Sequence, residues 1–290
     1  MEMNKVNVLN KVFSKKTLHD ILGMETSNSY AGAIKKHIEF PSEMSNAELM
    51  VALYEKIKQN YRNEYFYKNT LLNKLLIGVH KMSDQTTVLT ELPVANSKAD
   101  FVLLNGKAIV YEIKTELDNF DRLESQIHDY YKVFDHVAVV IGDSEASLAA
   151  ANRILDKLEY PVGIHVLKKN DKLSTIKKAM AFSEALCFES MFKLLRKSEH
   201  ETLILKFYDG LPQTTQFKYY DACKKMLKAV DMTLFYEAYL QILKKRIVVK
   251  KDLFANIPYE LKFLTYFMNM NEQDYRKLEK FLIKPYGGVV

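Results

Sequence analysis

The sequence predicts an α/β protein in which a mixed sheet is flanked by helices and is followed by a mostly helical C-terminal region. Short β-branched runs alternate with helical segments up to residue 168, and a strand–helix–strand connection of this length indicates a parallel crossover. From Ser174 onward the pattern is helical, with few glycines or β-branched runs. We therefore expect an N-terminal helical segment (1–45), an α/β core (46–170) and a basic helical C-terminal domain (171–290).

Composition narrows the class of protein. The chain has 290 residues, enough for one large domain or two modest ones. Its two cysteines, Cys187 and Cys223, lack metal-ligand spacing, which argues against a disulfide scaffold and favours a reducing, cytoplasmic location. We expect no signal peptide and no membrane partner, because no apolar run approaches about twenty residues. The absence of a glycine-rich phosphate loop argues against a nucleotide cofactor.

The net charge of +6 is unevenly distributed: residues 1–170 sum to −1 and residues 171–290 to +7. Phosphate contacts supply most of the non-specific affinity for nucleic acid, so the basic C-terminal third is a candidate surface for a phosphate backbone. A solvated lysine face on packed helices explains the same charges. The candidate contacts in this region are Lys224, Lys225, Lys244 and Lys245.

Two apolar runs, FVLL and AIVYEIK, flank Asn105-Gly106 and predict a β-hairpin. The second run carries Glu112 and Lys114 into an otherwise apolar strand. Because side chains alternate along a strand, these two residues point to the same face. Charges in a buried strand are costly unless they are paired or bound to metal, so this pair indicates either a functional site or a strand-end ion pair.

The hairpin turn decides whether Asp100 joins this face. A two-residue turn would set Asp100 opposite Tyr111, on the wrong face. A three-residue loop ending at a left-handed Gly106 pairs Leu103 with Lys107 and sets Asp100 opposite Val110, on the face of Glu112. We predict the three-residue loop or an equivalent bulge at Asp100.

Two carboxylates and a lysine on one face suit a hard divalent cation such as Mg²⁺, which takes oxygen ligands and retains several waters. Lys114 could orient or deprotonate an attacking water, or stabilise the charge of the transition state. The simpler alternative is an ion pair of Lys114 with Asp100 or Glu112.

A helix is predicted after this strand, with Asp118 as its N-cap. Arg122, Gln126 and Tyr130 are spaced by four and therefore share a helix face. This polar stripe could hold phosphates or the metal-binding carboxylates, or it could be a solvated face. Lys98, two residues before Asp100, is a further candidate for a phosphate contact.

An upstream helical segment, NEYFYKN, supplies a third candidate acid. Glu64 is spaced by four from Lys68, and it could reach a metal or form a surface salt bridge of little energetic weight. Glu91, within the predicted first strand TTVLTELPV, is the alternative to Glu64 as the third acid.

Taken together and in this order, Glu64, Asp100, the Glu112-Ile113-Lys114 element and Gln126-x-x-x-Tyr130 resemble the PD-(D/E)XK nuclease superfamily, and the last element is similar to its RecB-like branch. Phrases such as KADFV and YEIKTELDNFDRL also resemble a small, largely uncharacterised bacterial family within it. The resemblance covers residues 60–168, and Ala99 replaces the proline of the superfamily's name.

The resemblance implies a restriction-endonuclease-like fold and Mg²⁺- or Mn²⁺-dependent cleavage of nucleic acid. Its metal ligands would be Asp100, Glu112, the Ile113 carbonyl and Glu64. Lys114 would match the catalytic lysine. Gln126 and Tyr130 would match the accessory motif.

The expected function is therefore a bacterial metal-dependent nuclease, with DNA as the favoured substrate and, by analogy, a role in defence against foreign DNA. The alternative is a catalytically weak module that binds nucleic acid or docks a partner in a multi-protein complex. Whether the chain forms a homodimer or needs an accessory protein stays open at this point.

Overall fold

The computed structural model describes residues 8–23, 27–60, 62–79 and 86–287, so parts of the expected 1–45 segment lie outside it. The chain divides into two compact units. One comprises Met1–Lys81 and Val248–Val290, and the other comprises Met82–Ile247. Residues 171–247, which we expected in a separate C-terminal domain, belong to the same unit as the sheet.

The sheet has six strands in sequence order and is mixed, which confirms the expected α/β class. β1, β2 and β3 are antiparallel, β3, β4 and β5 are parallel, and β6 is antiparallel to β5. The strands are β1 (Thr86–Val94), β2 (Ser97–Asn105), β3 (Lys107–Lys114), β4 (His136–Gly142), β5 (Gly163–Leu167) and β6 (Leu173–Lys177).

The hairpin of β2 and β3 turns at Gly106, between the paired residues Asn105 and Lys107, in a different register from the one predicted. Leu104 pairs with Ala108, and Val102, rather than Asp100, lies opposite Val110. Gly106 is left-handed, with φ of 67°. The register differs by two residues, and a shift of two preserves which side chains share a face. The same register, extended by one residue beyond the pair of Phe101 and Tyr111, sets Asp100 opposite Glu112.

Two helical crossovers join the parallel strands, as expected. The first is α1 (Leu123–Tyr131), between β3 and β4, and the second is α2 (Glu145–Leu155), between β4 and β5. Val139, Ile141, Ile164 and Val166 lie on the sheet face that carries Glu112 and Lys114, and they form one buried core with the apolar side chains of both helices.

The helical pattern expected from Ser174 onward is wrong at its start. Residues 173–177 instead form β6, and the helix there covers only Phe188–Leu194. Pairing with β5 overrides local helical preference, and the β-branched Thr175 and Ile176 suit a strand. Gly163 allows the chain leaving β6 to close against β5, because a Cβ there would lie 2.6 Å from the Ala179 nitrogen.

Further helices complete the sheet-containing unit. Two hydrogen bonds hold the helix Met232–Lys244 against the sheet. The Tyr236 hydroxyl donates to Asp135, just before β4, at 2.8 Å, and the Thr87 hydroxyl of β1 donates to the Lys244 carbonyl at 3.0 Å. These helices are Phe188–Leu194, Lys197–Phe207, Gln216–Lys228 and Met232–Lys244.

The other unit combines the N-terminal and the C-terminal parts of the chain. The Asn46 side chain donates to the carbonyls of Phe281 and Lys284, and the Ser45 hydroxyl caps the helix that follows by accepting from the Glu48 amide. No helix in the described ranges of either unit is long and apolar enough to span a bilayer. The helices here are Lys15–Leu22, Asn28–His37, Asn46–Asn60, Glu64–Leu71, Lys251–Ala255, Lys262–Tyr266 and Glu272–Ile283, with a π-helix at Leu72–Val79 and 3₁₀ turns at Pro41–Glu43 and Tyr259–Leu261.

Candidate active site

Glu112 and Lys114 lie at the carboxyl end of β3, on one face, and both are buried. The Lys114 ammonium nitrogen lies 3.1 Å from Oε1 of Glu112. Only 2 % of Glu112 is exposed, so its charge depends on neighbouring donors for compensation. The two residues therefore form a buried ion pair and not a solvated one, and the Lys114–Glu112 contact is one of the two that the simpler alternative predicted.

Helix α1 supplies the remaining partners of this ion pair. The Tyr130 hydroxyl lies 2.6 Å from Oε2 of Glu112 and 2.9 Å from the Lys98 carbonyl oxygen. Lys114 donates to Oε1 of Gln126 at 2.8 Å. Residues four apart on a helix share a face, which is why Gln126 and Tyr130 reach two adjacent groups of β3. The structure thus brings together four of the residues that the sequence singled out.

The pKa values of Glu112 and Tyr130 are both shifted by their surroundings. Burial raises the pKa of Glu112, although Lys114 and the Tyr130 hydrogen bond act against the rise. Burial and the nearby Glu112 carboxyl raise the pKa of Tyr130, which keeps its hydroxyl protonated as a donor. A Glu112 carboxylate at neutral pH is consequently supported by a lysine on one oxygen and a tyrosine on the other.

Asp100 is held against β3 by a backbone contact. The Ile113 amide donates to Oδ2 of Asp100 at 2.9 Å. Asp100 is half-buried, and the hairpin register places it across from Glu112. The two predicted acids thus share one face, although by a different register from the one expected.

Glu91 lies on the other side of Asp100, on β1. Its φ of 54° is left-handed, and the recorded pairing of β1 with β2 skips it between Thr90 and Leu92. A Glu91 carboxylate oxygen lies within 4.8 Å of one from Asp100, and Glu91 also forms an ion pair with the exposed Lys98. The register of Thr90 with Phe101 and Leu92 with Ala99 sets Glu91 opposite Asp100, which places a second carboxylate beside it.

Glu64 belongs to the other unit, where it begins the helix Glu64–Leu71. It is exposed and forms an ion pair with Lys68, whose side chain is buried. Its role as a metal ligand stays a prediction.

The start of α1 differs from the expected one. Arg122, which is exposed, occupies the N-cap position, and the helix begins at Leu123. Asp118 instead accepts hydrogen bonds from the Thr115 amide and hydroxyl, at 2.8 and 2.7 Å. The expected cap fails because Asp118 stabilises the turn that leaves β3.

The predicted basic contacts lie in the sheet-containing unit. Lys224 and Lys225 lie on the helix Gln216–Lys228, while Lys244 ends the helix Met232–Lys244 and Lys245 follows it. Lys225 and Lys245 are exposed. Their contact with a nucleic acid stays a prediction.

Sequence reasoning missed one group of charged residues in this unit, the lysines of the turn between β5 and β6. The signal was present as KKNDK following the β5 run. Because the pattern from Ser174 onward predicts a helix, the sequence does not indicate a hairpin turn at these lysines.

Fold and site together define the class: an α/β protein with a mixed sheet and a buried acid–lysine cluster at the carboxyl end of a central strand. The chain belongs to the family described as bacteriophage P4 protein cII, whose model matches residues 57–264, more than half of the chain. No curated protein and no solved structure gives a significant match to this chain.

Proposed function

We propose that this protein is a divalent-metal-dependent nuclease that hydrolyses phosphodiester bonds, most favourably in DNA. One observation carries the proposal: Glu112, Lys114, Gln126 and Tyr130 form one hydrogen-bonded network, with Asp100 on the adjacent strand. A buried structural ion pair would also need the hydrogen bonds from Tyr130 and to Gln126. The second carboxylate, Asp100, goes beyond that requirement and favours a metal site.

The donor set fits a hard cation. Asp100, Glu112 and the Ile113 carbonyl would hold Mg²⁺ or Mn²⁺ through oxygen atoms alone, the ligands that these ions prefer. Glu64 is the proposed third acid, and Glu91 is its alternative, supported by its proximity to Asp100. A bound ion would polarise the phosphate and increase the acidity of the attacking water.

The chain's own residues would orient the reaction. Gln126 accepts from the Lys114 ammonium group and so limits its rotation, which keeps the lysine beside Glu112. In that position Lys114 could orient the attacking water or stabilise charge on the phosphate. Tyr130 holds Glu112 through its second oxygen and thereby restricts the carboxyl to one orientation.

The substrate preference rests on the resemblance to PD-(D/E)XK nucleases, which points to DNA and, by analogy, to defence against foreign DNA. Lys98, whose carbonyl accepts from Tyr130, and Arg122, at the start of α1, are exposed and are proposed phosphate contacts. Lys224, Lys225, Lys244 and Lys245 are proposed as more distant contacts. A cytoplasmic location belongs to the same proposal.

Cleavage assays test the proposal directly. Single- and double-stranded DNA and RNA are incubated with Mg²⁺ or Mn²⁺ and wild-type protein, Asp100→Ala or Lys114→Ala. We expect cleavage that requires the ion, is abolished by a chelator and is lost in both variants. The matched controls are Asp156→Ala and Lys157→Ala, an exposed acid and an exposed lysine that follow α2, and both should cleave normally.

Two outcomes would contradict it. Folded wild-type protein that binds nucleic acid with no cleavage, and with binding unchanged in both site variants, would favour the binding-module alternative. Folded protein that neither cuts nor binds would favour a subunit that acts only in a complex, and co-purification of a partner would then identify it.

A further inference from the structure

The hairpin of β5 and β6 is strongly basic. Residues 168–178 contain five lysines and one acid, Asp171. All five lysines are exposed. Lys168, Lys169 and Lys172 belong to the turn, whereas Lys177 and Lys178 lie at the far end of β6.

The turn is well ordered by its own hydrogen bonds. The Lys168 amide donates to the Lys172 carbonyl and the Asp171 amide to the Lys168 carbonyl, both at 2.9 Å. Asp171 is left-handed, with φ of 62°. The Lys169 amide donates to Asp143 at 3.0 Å and so ties the turn to the loop after β4. The lysines are therefore presented from a defined backbone, which lowers the entropic cost of binding a ligand.

The turn lies at the same edge of the sheet as the candidate active site. Because β3, β4 and β5 are parallel, their carboxyl ends share one edge. Lys114 pairs with Ile141, and Ile141 pairs with Val166, so the backbones of Lys114 and Val166 are about 10 Å apart across two strand spacings. Lys168 follows Val166 by two residues. Measured along the axis of B-form DNA, about 10 Å corresponds to roughly three base-pair steps.

Positive charge is concentrated in this turn. Lys168 and Lys172 face each other across the hairpin, and like charges in directly opposed positions destabilise an antiparallel pair. In the described part of the chain, the side chains of Lys169 and Lys172 form no ion pair. Lysines on an edge strand also discourage strand-to-strand aggregation, which accounts for Lys177. That explanation does not extend to three lysines in the turn.

We propose that Lys168, Lys169 and Lys172, here called the turn lysines, bind the phosphodiester backbone of a nucleic acid a few nucleotides from the bond that is cut. The proposal rests on the nuclease function proposed above. It adds a binding site and a direction, since the bound strand would run across the carboxyl ends of β3, β4 and β5. An anionic membrane surface would meet the same charges but would not call for placement beside the active site.

Binding is measured apart from cleavage, by fluorescence anisotropy of labelled single-stranded and duplex DNA in the presence of a chelator. The test variant is Lys168→Gln/Lys169→Gln/Lys172→Gln. If all three turn lysines contact phosphate, affinity for duplex DNA should fall roughly 100-fold at about 0.1 M salt, and the slope of log affinity against log salt should decrease by about 2.7.

Two control variants remove lysines elsewhere in the same unit. Lys177→Gln/Lys178→Gln changes the same hairpin at the opposite edge of the sheet, and Lys107→Gln/Lys157→Gln/Lys193→Gln removes the same charge from other exposed positions. Both should keep an affinity within about threefold of wild type and a salt slope close to it. Circular dichroism and thermal unfolding establish that each variant is folded.

Other results overturn the inference. A turn variant that binds DNA with the affinity and salt slope of wild type would overturn the inference. The nuclease proposal would stand if that variant still cleaves. An equal loss in the charge-matched control would show a non-specific effect of net charge. Failure of wild-type protein to bind any nucleic acid would remove both proposals, and binding of anionic vesicles that is lost only in the turn variant would identify a membrane surface instead.

Discussion

The Tyr130 hydroxyl lies 2.6 Å from Oε2 of Glu112 and connects helix α1 to the centre of the sheet. The contact joins a helix side chain to a strand side chain 18 residues away in sequence, and both groups are buried. Because Lys114 occupies the other oxygen of Glu112, the carboxyl has a donor on each side. The orientation of the proposed metal ligand therefore depends on a residue that lies outside the strand.

Replacing Tyr130 by phenylalanine should remove one donor from Glu112 without creating a cavity. A hydrogen bond to a charged group contributes about 1.5–3 kcal/mol, so we expect cleavage to slow by about tenfold or more. Loss of the donor should raise the pKa of Glu112 further and move the acidic limb of the pH–rate profile to higher pH. The matched control is Tyr239→Phe, since the buried Tyr239 hydroxyl has no hydrogen-bond partner in the described structure. An equal shift of the pH–rate profile in Tyr130→Phe and Tyr239→Phe would contradict the role assigned to Tyr130.

Replacing Lys114 by methionine should destabilise the fold by about 3–5 kcal/mol, because it leaves Glu112 buried without its cation. The double variant Glu112→Gln/Lys114→Met should recover most of this loss, since the amide carries no charge. Urea unfolding of the two variants measures the difference, and the exposed control Lys157→Met should stay within about 0.5 kcal/mol of wild type. If the double variant were no more stable than the single one, the buried charge would not be the cause.

The stability of the protein should depend on the charge of Glu112. Burial raises the pKa of this carboxyl from its ordinary value of 4.5, so the folded state holds the proton more tightly than the unfolded chain does. The free energy of unfolding contributed by Glu112 should therefore be highest below pH 4.5 and should fall as pH rises through the raised pKa. Unfolding of wild type and Glu112→Gln across this window should show the variant gaining relative stability with rising pH. If the relative stability of Glu112→Gln stayed constant or decreased with rising pH, the predicted direction would be wrong.

Glu91 should be a position where stability and function oppose each other. A left-handed backbone costs a non-glycine residue about 1–2 kcal/mol, so Glu91→Gly should keep or slightly increase stability. If Glu91 supports the metal, the same variant should require a higher Mg²⁺ concentration for half-maximal cleavage. Ala95→Gly is the matched control, since Ala95 has a φ of 51° in the turn between β1 and β2. It should change stability in the same direction and leave the metal requirement unchanged.

Much of the sheet was predictable from local pattern. The alternation of β1, the Asn105-Gly106 turn and the apolar run of β4 each predicted a strand or turn that the structure contains. The shared face of Glu112 and Lys114 follows from the two-residue period of a strand alone. Likewise, the helical spacing of Gln126 and Tyr130 predicted that they would act from one side.

Other features depended on a competing partner. Residues 173–177 read as helix locally, yet hydrogen bonding to β5 makes them a strand and places the turn lysines at the carboxyl edge of the sheet. Asp118 read as a helix cap, yet its carboxyl accepts hydrogen bonds from Thr115. In the first case the competing partner is β5, which no window of neighbouring residues reveals. In the second case the partner is local, three residues before Asp118, and two hydrogen bonds from Thr115 compete with the capping role.

The sequence by itself determined which residues have chemistry to offer: two acids and a lysine in apolar surroundings, followed by a glutamine and a tyrosine four apart. Only the tertiary structure decided that Lys114 contacts Gln126, that Tyr130 contacts Glu112 and that the Ile113 amide holds Asp100. Periodicity determines the direction of a side chain relative to its own helix or strand. The distance between side chains on different elements depends on strand register and helix packing, which the burial of the whole core sets.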